Sequence, residues 1–449
     1  MPCRTPKEDL FQQSGRWSGP PVAVFWDQSL VWGLLLVEAL EAMAVPYRLI
    51  SAQKIRSHGL KRHRLVIVPG GWASHKARAL GPEGMERVRE FVMDGGGYIG
   101  FCGGAGLALS GASSLNLVSI QRKALSQRLP SASGEVWIEG NPAHPFWQGF
   151  PPKIPVSVLW PSQFACDNGI GVEAVARYCG VGEDFWVADL RAADVAACGA
   201  GWKLWESSYG INLDPALLRG QAAILCCQVG DGVAVLSYPH LENPEGWGRR
   251  LLMRILSHLQ EGRLPRVPQD MPEDDSPVLD PPSRGSYQAL QEAFEEARSL
   301  LAFGMRHLLW QWRRPWLLQW QRGVRGLEYG FLFVALRFVL SHCSRETRLH
   351  RPAAPWDELA EALLADTRTF CRQARHLLLL EKAARHSGPI AKLQSVNPMV
   401  DSLRESLFGS GMSHAGLSQR LFDTLDHLMY HTLQRRLQNG AFHGSFWTT

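Results

Sequence analysis

The chain has 449 residues, 45% hydrophobic and 20% charged, with 43 Gly, 28 Pro and a net charge of +5. At that length an ordinary globular composition implies two or three domains and excludes a disordered polymer or a small disulfide scaffold. The charge is uneven: residues 1–282 hold 26 Lys/Arg against 28 Asp/Glu, and residues 283–449 hold 21 against 14. Nine cysteines without a C-x-x-C pair argue against a disulfide framework or a structural zinc site. The N-terminal stretch is charged and lacks the apolar run of a secretory signal. In the most apolar segment only Tyr329–Leu336 runs uncharged, far short of the roughly 20 residues a spanning helix needs. The expectation is a soluble, cytoplasmic protein with no transmembrane segment, no metal and no cofactor.

In chain order, residues 1–20 read as a tail. Val22–Trp26 is a short apolar strand ended by Asp27, and Leu30–Met43 carries helical spacing. Pro46–Ile50 returns to strand, and Leu65–Val68 is a buried-type strand closed by Pro69-Gly70-Gly71. Gly84–Met93 is a helix and Gly97–Phe101 another strand. Apolar strands alternating with helices predict a mostly parallel, doubly wound α/β sheet, whose ligands sit at the carboxyl ends of the strands. Through 111–220 the signals are short (Val136–Glu139, Ile154–Trp160, Phe185–Leu190) and predict antiparallel strands and loops. Ala222–Val229 and Val233–Tyr238 form a hairpin around Gly230-Asp231-Gly232, with the Asp-Gly pair expected at positive φ, and Trp247–Leu259 closes the domain as a helix. The six prolines and acidic cluster of 261–285 predict an extended linker. Beyond it, Tyr287–Gly304, Arg306–Arg322, Gly326–Cys343, Trp356–Ser387, Pro398–Phe408 and Leu417–Gln438 suit helices, so 286–449 is expected to be all-α.

The chemistry concentrates at Gly100-Phe101-Cys102-Gly103-Gly104. A strand runs into G-x-C-x-G and a helix starts at once, the arrangement of a nucleophile elbow. The Gly103 N–H and the backbone of Gly70-Gly71 are candidate oxyanion donors. Downstream, Tyr238-Pro239-His240-Leu241-Glu242 ends a strand, and residues two apart in extended chain project to the same side. His240 is thus a candidate base for Cys102, and Glu242 its orienter. The competing reading is a buried structural cysteine and an ordinary surface histidine.

Taken together, Val22–Asp27, Val66–Trp72, Gly100–Gly104 and Gly232–Glu242 make residues 21–260 resemble a class I (triad) glutamine amidotransferase domain. Within that superfamily they most resemble the N-terminal amidotransferase-like domain of biotin–protein ligases. The resemblance implies a flavodoxin-like α/β fold, Cys102 as nucleophile, His240 as base and Glu242 as its orienter. Ammonia-producing members carry Gln four residues after the cysteine, where this chain has Gly106, so the resemblance implies poor use of free glutamine. A different pocket wall is expected at Val158–Phe164, and no biotin-ligase catalytic region or phosphate loop is present.

Other residues are weighed against plainer roles. Asp27 is a candidate ligand contact or a helix-capping carboxylate, and Trp72 a pocket roof or rim packing. His75 and His144 are expected to be isolated and exposed. Leu309, Trp312, Trp316 and Trp320 recur at helical spacing beside Arg313, Arg314 and Arg322, and read as bundle core with snorkelling arginines. Nineteen of the 21 basic residues beyond 283 are Arg, but no nucleic-acid motif accompanies them. Two functions stay open. One is a Cys-His-Glu hydrolase or acyl transferase acting on an amide or related acyl substrate through a thioester. The other is an inactive amidotransferase-fold binding module whose helical domain docks a protein partner.

Overall fold

The computed structural model describes residues 17, 19–165, 171–199, 201–243, 246–262, 283–343, 354–385, 397–410, 415–438 and 446. The expected tail and proline-rich linker lie almost wholly outside the described residues. The chain forms two compact units. The first takes Met1–Asp27, Trp32–Phe185 and Asp214–Pro272; the second takes Gln28–Val31, Trp186–Leu213 and Glu273–Thr449. Residues Trp186–Leu213, which the sequence reading places inside 21–260, group with the second unit. There Arg322 N–H donates to Asp189 Oδ2 at 2.8 Å and Gln319 Nε2 to the Ala188 carbonyl at 2.9 Å.

The first unit is built on β1 (Val22–Phe25), α1 (Leu30–Ala42), β2 (Tyr47–Ile50), α2 (Ala52–His58), β3 (Leu65–Val68), α3 (Ala73–Met93), β4 (Gly97–Phe101) and α4 (Gly103–Ala108). Strands β1, β3 and β4 are buried along their whole length, as strands of a parallel sheet covered on both faces must be. Next come β5 (Gln121–Arg122), β6 (Ala132–Gly140), β7 (Lys153–Leu159), β8 (Phe164–Ala165) and β9 (Val172–Val187), and then β10 (Leu190–Arg191), α5 (Ala192–Ala197) and α6 (Trp202–Tyr209) in the stretch that groups with the second unit. The hairpin β11 (Ala222–Val229) and β12 (Gly232–Ser237) and the closing helix α7 (Trp247–Gly262) follow. The main sheet runs β2-β1-β3-β4-β12-β11-β9-β6-β7, with β10 on β9. Its β2-β1-β3-β4-β12 part is parallel; β11 then pairs antiparallel with both β12 and β9. The sheet is therefore mostly parallel at its centre, with the antiparallel extension expected through 111–220. At the β11–β12 turn positive φ falls on Gly230 (57°) and not on Asp231. Val229 pairs with Gly232, so Gly230 is the first of two central residues, where a II′-type turn calls for glycine.

The second unit is helical: α8 (Arg284–Arg306), then β13 (Trp310–Arg314) and β14 (Leu317–Trp320), then α9 (Leu327–Cys343), α10 (Ala354–Arg385), α11 (Pro398–Phe408) and α12 (Gly416–Gln438). The strands correct the expected helix over Arg306–Arg322. They form an antiparallel hairpin with Trp310 opposite Trp320 and Trp312 opposite Leu318. Pro315 lies in its turn, where its missing N–H costs nothing, and the aromatic residues favour a pleated surface. The helical spacing of the tryptophans was thus coincidence, though the core role holds for Leu309 and Trp316, 1% and 5% exposed. Trp310 Nε1 donates to the Leu301 carbonyl at 3.1 Å, and its ring fills the space over Gly304.

A Cβ on Gly304 would lie 2.0 Å from the Trp310 ring. Gly304→Val is expected to destabilise the helical unit by about 1–3 kcal/mol through overpacking. Urea unfolding followed by circular dichroism measures this, and adding Trp310→Ala should recover part of the loss.

Candidate active site

Cys102 sits between β4 and α4 with φ 47° and ψ −102°. A non-glycine residue held at such angles costs about 1–3 kcal/mol, a strain that persists only when the surroundings enforce it. Here the Cys102 N–H donates to the Ser237 carbonyl of β12 at 2.7 Å, and its own carbonyl accepts from Gly106 N–H at 2.9 Å. The Tyr98 hydroxyl, buried under the elbow, donates to the Gly104 carbonyl at 2.6 Å. The thiol is half-buried, with Sγ 3.7 Å from the Leu159 carbonyl. That contact places the expected pocket wall at Val158–Phe164 beside the sulfur.

The Pro69-Gly70-Gly71 turn lies directly against this elbow. A Cβ on Gly103 would fall 1.8 Å from the Gly71 carbonyl oxygen, so the two backbones touch. No hydrogen bond engages the N–H of Gly71 or Gly103 among the described residues. A Cβ on Gly70 would fall 2.7 Å from Trp32 and 2.9 Å from His240 Cε1, so Gly70 makes room for the imidazole.

His240 and Glu242 are 1% and 0% exposed, and His240 Nδ1 is 2.6 Å from Glu242 Oε1. The segment is fixed by His240 N–H donating to the Ser157 carbonyl at 2.8 Å, and by Asn243 Nδ2 donating to Ser157 Oγ at 2.7 Å. With Nδ1 engaged by Glu242, Nε2 is left for Cys102. Burial alone would lower the His240 pKa, but the Glu242 carboxylate and the interaction with Cys102 outweigh it and raise the value above the ordinary 6.5. The structure therefore brings Cys102, His240, Glu242, Gly70, Gly71 and Gly103 together.

The other two site residues make contacts of their own. Asp27 Oδ2 accepts from Ala52 N–H at 2.6 Å, at the start of α2. Burial raises its pKa, opposed by that N–H, its own backbone, Lys76 and Arg56. Trp72 packs edge-on against Trp32 at 5.3 Å and stacks on His75 at 5.9 Å. His75 and His144, expected to be exposed, are both only 5% exposed. His75 is held by the Trp72 stack, and His144 Nδ1 accepts from Phe146 N–H at 3.2 Å.

Some polar groups gave no signal in the sequence. Lys76 is fully buried, with Nζ 3.4 Å from the Asp27 carbonyl and 5.5 Å from the centre of the Phe25 ring. Arg128 Nη1 donates to Ser162 Oγ at 2.7 Å, three residues beyond the Leu159 carbonyl that meets the sulfur, a link that no spacing rule gives. His427 and His431, an H-x-x-x-H pair on α12, have ring centres 4.4 Å apart. Among the described residues no three His, Cys, Asp or Glu side chains group as a metal site requires, and no helix is long and apolar enough to cross a membrane.

The first unit is thus a mostly parallel α/β domain with a cysteine at a strained strand–helix elbow and a buried His–Glu pair beside it. Comparison with known proteins adds that residues 44–112 match the family described as "Biotin-protein ligase, N terminal". The matched stretch runs from before β2 through α4 and includes the Pro69-Gly70-Gly71 turn and Cys102, but not His240 or Glu242. No curated protein matches the chain. Among solved structures it is similar to PurLQS from Thermotoga maritima, at 15% identity and TM-score 0.37, over 54% of this chain and 99% of that one. It is similar to a glutamine amidotransferase from Thermotoga maritima at 13% and 0.32, over 54% and 99%. A glutamine amidotransferase from Methylobacillus flagellatus aligns at 13% and 0.32, over 57% and 99%.

Two outcomes follow from the geometry. Gly70→Ala should push the imidazole away from Cys102 and slow Cys102 alkylation by iodoacetamide about tenfold to hundredfold, as misplacement by about 1 Å does elsewhere. Because the folded pKa of His240 lies above its unfolded value near 6.5, its stabilising contribution is complete below that pH. It is lost as pH rises through the folded value. Thermal melts of the full chain should show this loss, and His240→Ala should flatten that part of the profile.

Proposed function

We propose that the first unit is a cysteine-dependent amidohydrolase or acyl transferase that works through a thioester. The observation that carries this reading is the conjunction of a strained Cys102 with a buried His240 Nδ1–Glu242 Oε1 contact of 2.6 Å. Strain at one residue and two buried titratable groups are costs that packing alone does not require.

In this reading Cys102 Sγ attacks the amide carbon while His240 holds the thiol proton, and Glu242 stabilises the imidazolium. Negative charge gathering on the carbonyl oxygen is met by the N–H groups of Gly103 and Gly71. The C–N bond then breaks as His240 returns its proton to the leaving nitrogen, which leaves the acyl group on sulfur. Water or an amine adds to the thioester, gives a proton to His240, and the thiol is restored as the C–S bond breaks. The match of residues 44–112 to the biotin–protein ligase N-terminal family supports a family-level link, and it is the resemblance of the Cys102, His240 and Glu242 motifs to triad amidotransferases that suggests this chemistry.

Free glutamine fits this site poorly, because Gly106 offers no side chain where glutamine-using relatives have one. A Cβ on Gly106 would meet only Ala73 Cβ, at an ordinary 3.6 Å, so the start of a side chain is not blocked there.

Mass spectrometry after exposure to a diazo-ketone glutamine mimic tests the reading. A stoichiometric adduct on Cys102, lost in His240→Ala, is the expected result. No adduct, or one indifferent to His240, would favour the second reading of an inactive binding module. An ammonia-release assay should give little or no turnover of glutamine for the native chain and an increase of at least about tenfold for Gly106→Gln, the size of effect one substrate contact commonly has.

A further inference from the structure

Between β1 and the body of α1 the chain passes through a short piece of the second unit, Gln28–Val31. Two of its residues hold backbone angles that side chains seldom adopt, Gln28 at φ 61° and Leu30 at φ 47°. Positive φ crowds the Cβ of any residue but glycine, so such angles persist only where the surroundings enforce them. The strand end before this piece is itself fixed. Trp26 N–H donates to the Ile50 carbonyl at 3.0 Å, and Asp27 Oδ2 accepts from Ala52 N–H at 2.6 Å. What enforces the turn after it comes from α12. Asp426 Oδ2 accepts from Gln28 N–H at 2.8 Å and Asp426 Oδ1 from Leu30 N–H at 3.3 Å, while Asp423 Oδ1 accepts from Gln28 Nε2 at 2.8 Å.

The Asp426 carboxylate does for α1 what the helix's own sequence does not. The first turn of α1 has no acidic residue, and Leu30, Val31 and Trp32 are all buried, so water is a poor partner for the leading N–H groups. Asp426 is buried too. A buried carboxylate held by two main-chain N–H groups fixes both the turn and the point at which the helix starts. Two residues after Leu30, on the same helix, stands Trp32. A Cβ on Gly70 would meet Trp32 Cδ1 at 2.7 Å and His240 Cε1 at 2.9 Å, so the indole and the imidazole crowd the same side of that glycine. The indole also lies edge-on to Trp72, with ring centres 5.3 Å apart. A shift in the start of α1 therefore moves a ring that limits where the imidazole can stand.

We infer that Asp426 is a positioning residue for the candidate active site: by clamping the strained Gln28–Leu30 turn it sets the start of α1, and with it the place of Trp32 against Gly70 and the His240 imidazole. This rests on the proposed thioester chemistry for its purpose, whereas the placement of Trp32 does not depend on that chemistry. The helical unit then serves the site through the chain itself, because Gln28–Val31 runs without a break into the helix that carries Trp32.

Two measurements on the full chain test it. With fluorotryptophan incorporated, the fluorine NMR signal of Trp32, assigned by its loss in Trp32→Phe, reports the place of the ring whatever Cys102 does. The second measurement is the rate of Cys102 alkylation by iodoacetamide. Asp426→Asn is nearly isosteric, yet it sets an amide donor against one of the two backbone donors. It should shift the Trp32 signal and slow alkylation about tenfold, the scale on which a small misplacement acts. Gln28→Gly removes strain that the carboxylate holds in place. Added to Asp426→Asn, it should return the signal and bring the rate to within about threefold of native. A role confined to the packing of α12 would not be repaired by a glycine so distant in sequence. Should Asp426→Asn fail to fold, Asp426→Glu, which keeps both acceptors on a longer stem, should still displace the signal. An unmoved Trp32 signal in a folded Asp426 variant, or a shift that Gln28→Gly leaves uncorrected, overturns the inference. So does a native alkylation rate in Asp426→Asn when His240→Ala slows the same reaction. If the signal moves and recovers while His240→Ala leaves alkylation unchanged, the catalytic reading falls and the positioning of Trp32 stands.

Discussion

Everything at the candidate site depends on one close approach, the Gly71 carbonyl against Gly103. At 1.8 Å from where a Cβ would stand, this contact excludes any side chain at the first residue of α4. It brings the end of β3 onto the end of β4, so that two unengaged N–H groups and a thiol share one small space. The strained backbone of Cys102 persists because hydrogen bonds from β12 and α4 hold both its N–H and its carbonyl. The same crowding leaves Gly70 as the only kind of residue that lets the His240 imidazole stand beside the turn.

The topology explains why residues so far apart in sequence meet here. Strand β12 enters the sheet beside β4, in parallel register with Leu236 opposite Gly100 and Ser237 opposite Phe101. The chain leaving β12 therefore arrives next to Cys102. From the other side, the β7 residue Ser157 bridges His240, and two residues later Leu159 reaches the sulfur. An antiparallel extension thus returns to the carboxyl ends of the parallel strands, where ligands of such sheets bind. Its contribution is the Leu159 carbonyl beside the sulfur and the Ser157 carbonyl that holds the His240 backbone, which a parallel core alone would lack.

The central parallel strands, the elbow and the H-x-E segment were legible because each is local. Short apolar runs flanked by Gly and Pro, and two residues of the same parity in extended chain, carry their meaning within a few positions. The hairpin at Trp310–Trp320 was not, since aromatic residues at three- and four-residue spacing satisfy a helical pattern while the fold uses them pairwise across two strands. Only Pro315 hinted at the turn. His75 and His144 were misjudged for a related reason. Their burial comes from Trp72 and Phe146 and from the elements around them, which periodicity does not report. At Gly230 the dipeptide rule favoured Asp231-Gly232, whereas the register with Val229 opposite Gly232 put the positive φ one residue earlier.

By itself the sequence determined the parallel α/β class of the first unit and the helical character of the second, and it marked Cys102, His240 and Glu242 as candidates. Those depend on side-chain type and short-range backbone preference, which travel with the residue. Tertiary structure alone decided that Asp27 serves the N-terminus of α2, that Trp186–Leu213 joins the second unit, and that the Leu159 carbonyl meets the thiol. The physical reason is range. A capping carboxylate or a carbonyl set beside a sulfur takes its role from groups tens of residues away. Their positions follow only once the strands have chosen their neighbours.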